Sequence, residues 1–161
     1  MSLQDNANLL HSPLRRIVSG GQTGVDRAAL DAALYAGIPC GGWCPRGRRA
    51  EDGPLDEIYP MDETSGDDYA ERTLWNVRDS DGTLVLAVGE PTGGTALTLD
   101  FSAQLRKPAL LIDLNLEDSP ARALAWVAAE RIVTLNVAGP RESTQPGIYQ
   151  RARAFLDKLA G

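Results

Sequence analysis

The sequence predicts an α/β protein built as a three-layer sandwich, with a five-stranded, mainly parallel sheet and helices on both faces. Three observations support this prediction. Short apolar segments alternate with helical patterns, glycine-rich turns lie between them, and no repeat or linker divides the 161 residues. Strands joined by helices pair in parallel and are covered on both faces. The arrangement is Rossmann-like, and the length suits one domain.

The five predicted strands are short apolar runs. The clearest one, at 83–88, has a single polar residue, as expected for a strand that is buried on both faces. The predicted strands are 16–19, 38–42, 83–88, 109–114 and 132–138.

The predicted helices follow these strands. Residues 25–36 place alanines on one face, and Gly37 after them is typical of a helix C-terminus. Thr64 or Ser65 is the predicted cap of the second helix, and Ser119 that of the fourth. The other helices are predicted to end near 78, near 106 and near 160.

Composition excludes several classes of function. The net charge of −6 disfavours nonspecific binding of nucleic acid, and no apolar run approaches the length of a membrane span.

Residues 1–14 lack the pattern of a secretion signal and are predicted to be a flexible arm before a single domain at 15–161. Two cysteines, Cys40 and Cys44, form no cystine framework, so a cytoplasmic location is expected. Because His11 is the only histidine, we expect no structural metal.

Three glycine-rich loops follow predicted strands and lead into helices. Ligands of open parallel sheets bind beyond the carboxyl ends of the strands, and glycine loops at helix N-termini bind anions. A phosphate-bearing ligand is therefore predicted there. The first two loops supply the candidates Gly20, Gly21, Gln22, Thr23, Gly24, Asp26, Arg27, Glu90, Thr92, Gly93, Gly94 and Thr95, and the third loop runs from Gly139 to Ser143.

A structural interpretation of the first loop stays open. Thr23 and Asp26 have the spacing of a capping box and could simply start the helix. Arg27 favours the ligand interpretation, because a cation in the first turn opposes the helix dipole unless an anion lies beside it.

The long loop at 43–64 concentrates positive charge in an acidic chain. Arg46, Arg48 and Arg49 lie close to Trp43, so guanidinium groups and an indole could hold a phosphate and a base or pterin. The alternative is a solvated loop whose arginines pair with Glu51 and Asp52.

Standard nucleotide motifs are absent from the sequence. There is no G-x4-G-K-[ST] sequence, and the first loop reads G-G-x-x-G rather than G-x-G-x-x-G. No acidic residue follows the second strand to bind an NAD ribose.

Four segments, in this order, resemble one family: GGQTGVDRAALDAAL, CGGWCPRGRRAEDG, ERTLWNVRDSDGTLVL and PTGGTALT. The sequence is similar to the putative molybdenum carrier proteins, the circularly permuted YpsA-related branch of the SLOG superfamily. The resemblance implies a Rossmann-like fold that binds a nucleotide or the molybdenum cofactor, and a homo-oligomer, either dimer or tetramer.

The segment PTGGT also resembles a shortened P-G-G-x-G-T-x-x-E loop of the lysine decarboxylase-like nucleotide phosphoribohydrolases. Those enzymes have a glutamate three residues after the Gly-Thr, where this chain has Thr98. A binding protein, either a cofactor carrier or a nucleotide sensor, is therefore the leading hypothesis. The alternatives are a nucleoside-monophosphate phosphoribohydrolase that uses Glu90, Asp26 or Glu142, and a scaffold whose glycine loops are only structural.

Overall fold

The structure is a computed structural model that describes residues 12–161. Most of the predicted N-terminal arm, residues 1–11, lies outside the described residues. The main sheet consists of β1 (Arg16–Val18), β2 (Cys40–Gly41), β5 (Gly82–Ala87), β6 (Ala109–Asp113) and β7 (Thr134–Ala138). These five strands are parallel and lie in the order β2-β1-β7-β5-β6. The predicted α/β, Rossmann-like sheet is confirmed.

Five helices in the described part of the chain cover this sheet. They are α1 (Val25–Ala36), α2 (Tyr69–Arg78), α3 (Gly93–Gln104), α4 (Ala121–Ala129) and α5 (Ile148–Ala160). Helix α5 packs against α1 and α4, whereas α2 packs against α3. No helix within 12–161 is long and apolar enough to cross a membrane.

The two faces of the sheet differ in polarity. Leu84, Leu86 and Leu135 point into one large apolar cluster with α1, α4 and α5. Because side chains alternate along a strand, Thr83 and Asn136 point to the other face, where the Asn136 amide donates to the Thr83 hydroxyl. The face toward α2 and α3 is therefore partly polar although it is buried.

The long loop is more ordered than the sequence predicts. It contains two very short strands, β3 (Trp43–Cys44) and β4 (Asp62–Glu63), which pair in parallel. Leu55 and Tyr59 pack with Leu30 in a second small core. Two-residue strands are too short to give a recognisable periodicity, which is why this sheet was not predicted.

The predicted cap of α2 was wrong. The helix begins at Tyr69, and the side chain of Asp68 accepts a hydrogen bond from the backbone N–H of Ala70 at 2.8 Å. Thr64 instead donates its hydroxyl hydrogen to the carbonyl of Gly66. An aspartate next to the helix satisfies the free N–H groups better than a residue four positions away.

Candidate functional site

The three glycine-rich loops meet at the carboxyl edge of the sheet, as the sequence predicts. Together with α2 and α3 they enclose a cavity of about 400 Å³. The charged residues that line it are Asp26, Arg72 and Arg141. The lining therefore has a net positive charge in a chain of net charge −6.

Gln22 in the first loop has a fixed orientation. Its Oε1 accepts hydrogen bonds from the backbone N–H groups of Thr23, at 3.0 Å, and Glu51, at 2.8 Å. This leaves Nε2 as a donor, and Nε2 is buried without a partner among the described residues. Gln22 lines the cavity and is only 4% exposed. A ligand with an acceptor atom would satisfy this amide.

Arg72 and Asp26 form a buried ion pair beneath the first loop, with 2.8 Å between Nη1 and Oδ2. The Nε of Arg72 is a second buried donor without a partner in the described chain. A Cβ on Gly20 would lie 1.3 Å from this Nη1, so the loop needs glycine there to admit the guanidinium. Burial raises the pKa of Asp26 above its usual value, and Arg72 opposes this only in part.

The second loop presents the N-terminus of α3 to the cavity. Thr92 precedes the helix, but its side chain makes no capping hydrogen bond, and the first turn has no acidic residue. A Cβ on Gly93 or Gly94 would meet nothing within 4 Å. Packing therefore does not explain Gly94, whereas free N–H groups beside open space suit an anion.

The third loop adds Arg141, which shares an aromatic neighbour with Arg72. The two guanidinium carbons lie 5.6 and 5.5 Å from the centre of the Tyr69 ring. Such contacts hold the two guanidinium groups in place, while Arg72 keeps its Nε–H without a partner in the described part of the chain.

The sequence from residue 17 to residue 160 matches the Circularly permutated YpsA SLOG family. The chain belongs to this family. The family resemblance seen in the sequence is thereby confirmed.

A solved structure is similar to this family member over nearly its whole length. It is a putative molybdenum carrier protein from Syntrophus aciditrophicus SB, with 45% sequence identity and a TM-score of 0.90. The similarity covers 93% of this chain and 97% of that one. No curated protein matches the chain.

Several of the predicted ligand-binding residues line the cavity of this SLOG protein, and the others lie outside it. Those in the cavity are Gly20, Gln22, Asp26, Thr92, Gly93, Gly94 and Thr95. Those outside are Gly21, Thr23, Gly24, Arg27, Trp43, Arg46, Arg48, Arg49 and Glu90. Whether any of them binds a ligand stays a prediction.

The outer residues of the first loop have contacts within the protein. A Cβ on Gly24, whose φ is +80°, would lie 2.3 Å from the carbonyl oxygen of Pro140. The carbonyl of Gly21 accepts from Arg27, and Arg27 also pairs with Asp52 at 2.9 Å. The anion beside Arg27 is thus a carboxylate of the chain itself.

The capping-box interpretation of this loop is not realised. The N-cap of α1 is Gly24, with no side-chain hydrogen bond to the helix. The Thr23 hydroxyl contacts Glu51, and Asp26 pairs with Arg72.

The arginines of the long loop do not reach the cavity. Arg48 donates to the backbone carbonyls of Asp56, at 2.7 Å, and Tyr59, at 2.8 Å, and so holds the loop together. Arg46 and Arg49 line a second, open cavity of about 550 Å³, where Arg49 also pairs with Asp67.

The Trp43 side chain is engaged elsewhere as well. Its indole N–H donates to Asp79 at 2.8 Å, and its ring packs edge-on against Trp75.

The carboxylates considered for catalysis differ in position. Glu90 is exposed and lies outside the cavity. Glu142 accepts from the backbone N–H groups of Gly147, at 2.6 Å, and Tyr149, at 2.9 Å, at the start of α5. Asp26 lines the cavity but is paired with Arg72.

Sequence reasoning included the third glycine loop without naming Arg141 as a candidate, and it missed Arg72 altogether. Arg141 lies in the third glycine loop, so the rule applied to the first two loops would have found it. Arg72 is on a helix, and its partner Asp26 is 46 positions away, a pairing that no local pattern reveals. Further lining residues that were missed are Tyr69, Asn76, Asn136 and Thr98.

Cys40 and Cys44 are free thiols, and burial raises the pKa of both. No group of three or more His, Cys, Asp or Glu side chains within residues 12–161 could hold a metal ion.

Proposed function

We propose that this protein binds a small phosphate-bearing ligand, a nucleotide or the molybdenum cofactor, in the cavity between α2, α3 and the three glycine loops, and acts as a carrier or sensor. The name of the Syntrophus protein supports the molybdenum cofactor as a candidate. The proposal also retains the prediction that the chain works in the cytoplasm as a dimer or tetramer.

The observation that carries the proposal is the pair of buried donors without partners, Gln22 Nε2 and Arg72 Nε. A buried polar group left without a hydrogen bond costs about 1–3 kcal/mol. Both side chains line one cavity, and its lining includes further polar groups such as Asn136 and Thr95. A ligand rich in acceptor atoms would satisfy them, so the arrangement favours binding over a scaffold role.

The chemistry of the lining favours phosphate as the anionic group. The uncapped N-terminus of α3 offers N–H groups at Gly93 and Gly94, where no side chain obstructs an approaching group. Arg141 adds a planar guanidinium that can bind phosphate with two hydrogen bonds.

The phosphoribohydrolase alternative has less support. Thr98 replaces the glutamate of those enzymes, and its hydroxyl donates to the carbonyl of Gly94 at 3.0 Å. Asp26 is the carboxylate in the lining, and its ion pair with Arg72 engages it. Incubation with AMP tests this alternative, and we expect no release of adenine above the rate in buffer. If the wild-type protein releases adenine and Asp26→Asn does not, the protein is an enzyme and the proposed binding role is wrong.

The direct test replaces the Gln22 amide by a carboxylate. Gln22→Glu keeps an oxygen for the two backbone N–H groups but places negative charge where Nε2 lies. We expect isothermal titration calorimetry to show at least a tenfold loss of affinity, about 1.4 kcal/mol, for whichever of AMP, ADP or the molybdenum cofactor binds. Gln150→Glu, an exposed position on α5, is the matched control and should bind as the wild type does.

Two outcomes would contradict the proposal. One is that none of these ligands binds the wild-type protein. The other is that Gln22→Glu binds as tightly as Gln150→Glu, because the cavity would then not be the binding site.

Light scattering at several protein concentrations tests the predicted oligomer independently.

A further inference from the structure

The carboxylate of Glu51 is held by a group of hydrogen-bond donors beside the cavity. It accepts from the Thr23 hydroxyl, from the Ser143 backbone N–H at 3.1 Å and from the Ser143 hydroxyl at 2.5 Å. Arg141 Nη1 lies 3.8 Å from Oε2 of the same carboxylate. We call Thr23, Arg141 and Ser143 the Glu51 cradle.

The cradle adjoins the cavity of the proposed function. Arg141 and Ser143 line that cavity, whereas Glu51 does not and reaches the cradle from the long loop. Thr23 follows Gln22 in the first glycine loop. An anion inside the cavity and the Glu51 carboxylate would therefore approach Arg141 and Ser143 from two sides.

The donors of the cradle have the chemistry of a phosphate site. Two hydroxyls, one backbone N–H and one guanidinium supply hydrogen bonds to an anion, and such charge-assisted bonds are stronger than neutral ones. Burial alone would raise the pKa of Glu51, yet hydrogen bonds from Ser143 and Thr23 lower it below its usual value. The cradle thus stabilises a negative charge.

The contact with Arg141 is the weakest of those that hold the Glu51 carboxylate. Arg141 is 39% exposed in its side chain and touches the carboxylate only at 3.8 Å, a separation typical of a weak surface ion pair. The backbone N–H of Glu51 is anchored separately, to Gln22 Oε1 at 2.8 Å. The side chain can leave the cradle while the loop keeps this anchor.

From this geometry we infer that the Glu51 cradle is a second anion subsite, which the Glu51 carboxylate occupies in the free protein and a second phosphate group of the ligand takes over on binding. The inference rests on the proposed function. It specifies the ligand class, a small molecule with two phosphate groups, one at the start of α3 and one in the cradle.

The test is a titration with inorganic phosphate, followed by the backbone amide signals in two-dimensional NMR spectra. The amide of Gly94 reports on the start of α3, and that of Ser143 reports on the cradle. Glu51→Ala empties the cradle, and Glu57→Ala is the matched control. Glu57 is exposed in the same loop, so its replacement changes the net charge equally.

We expect Glu51→Ala to show a phosphate Kd at Ser143 at least tenfold lower than that of the wild type and of Glu57→Ala. Glu51→Gln is a second variant for the case that Glu51→Ala unfolds. It keeps an acceptor for the Ser143 N–H but removes the charge that competes with phosphate, so its Kd at Ser143 should also fall.

The two proposals fail in different ways. If phosphate shifts Gly94 in all proteins but Ser143 in none of them, the cradle is not an anion subsite and the proposed function stands. If Ser143 responds equally in the wild type, Glu51 does not occupy the subsite in competition with phosphate, and the inference is wrong. If neither amide responds in any protein, phosphate binding at both places is refuted.

Discussion

Replacing Gly20 by alanine separates a structural role of the first glycine loop from a ligand-binding role. The new Cβ would lie 1.3 Å from Nη1 of Arg72, 2.5 Å from its Cζ and 2.9 Å from Oδ2 of Asp26. The φ of Gly20 is not in the left-handed region, so the backbone accepts alanine and only space is missing. The guanidinium must therefore move away from Asp26.

The cost follows from the burial of this ion pair. Breaking a buried pair by removing one partner costs about 3–5 kcal/mol, because a charge stays buried without compensation. Here Arg72 is displaced rather than removed, so we expect the lower end, about 3 kcal/mol. For a domain of this size that lowers the Tm by roughly 6–12 °C. Gly94→Ala is the matched control, because a Cβ there meets nothing within 4 Å.

Urea unfolding of both variants at several pH values measures the effect. The pKa of Asp26 is already raised by burial, and loss of Arg72 as its partner raises it further. The folded variant then holds a proton that the unfolded chain releases, so its stability deficit is full above the raised pKa and shrinks as the pH falls through it toward the pKa of the unfolded chain. Equal unfolding midpoints for Gly20→Ala and Gly94→Ala would refute this account of the loop.

Two further predictions concern the cavity and the alkaline limit of stability. Gly94→Val should reduce ligand affinity by at least about 100-fold and leave the Tm nearly unchanged, because the new side chain would fill open space in the cavity. Calorimetry measures the affinity and thermal unfolding measures the Tm. If the variant binds the ligand normally, the second loop has only a structural role. Tyr59 and Tyr149 both donate to Asp31, and burial, with these hydrogen bonds, raises the pKa of both hydroxyls. Above about pH 10 the unfolded chain loses these protons before the folded protein does, so the free energy of unfolding should fall. Urea titrations measure this decline, and it should be weaker in Tyr59→Phe.

The fold was predictable because its signals are local. The run at 83–88 and the alanine face of 25–36 each lie within one element, and the structure has β5 at Gly82–Ala87 and α1 at Val25–Ala36. The rule that ligands of parallel sheets bind at the carboxyl edge then indicated where the loops would meet. The cavity at that edge follows from topology, which the order of elements determines.

The composition of the cavity was less predictable because it depends on contacts between distant residues. The sequence shows three clustered arginines in the long loop, but Arg48 contacts backbone carbonyls and Arg49 pairs with Asp67. The arginines of the cavity, Arg72 and Arg141, stand apart from that cluster. Charge density along a chain does not indicate which side chains a fold turns inward.

Helix α3 gives an independent reason to look for a ligand on the polar face of the sheet. A helix that packs only for stability buries its apolar residues. Helix α3 instead buries Thr95, Thr98 and Ser102, and leaves Leu97 and Phe101 only half-buried. The large apolar cluster lies on the opposite face of the sheet. The Thr98 and Ser102 hydroxyls donate to carbonyls of the same helix, whereas Gln22 Nε2 and Arg72 Nε stay without a partner in the described part of the chain. A ligand with acceptor atoms would satisfy these two donors, which is the state that the proposed function describes.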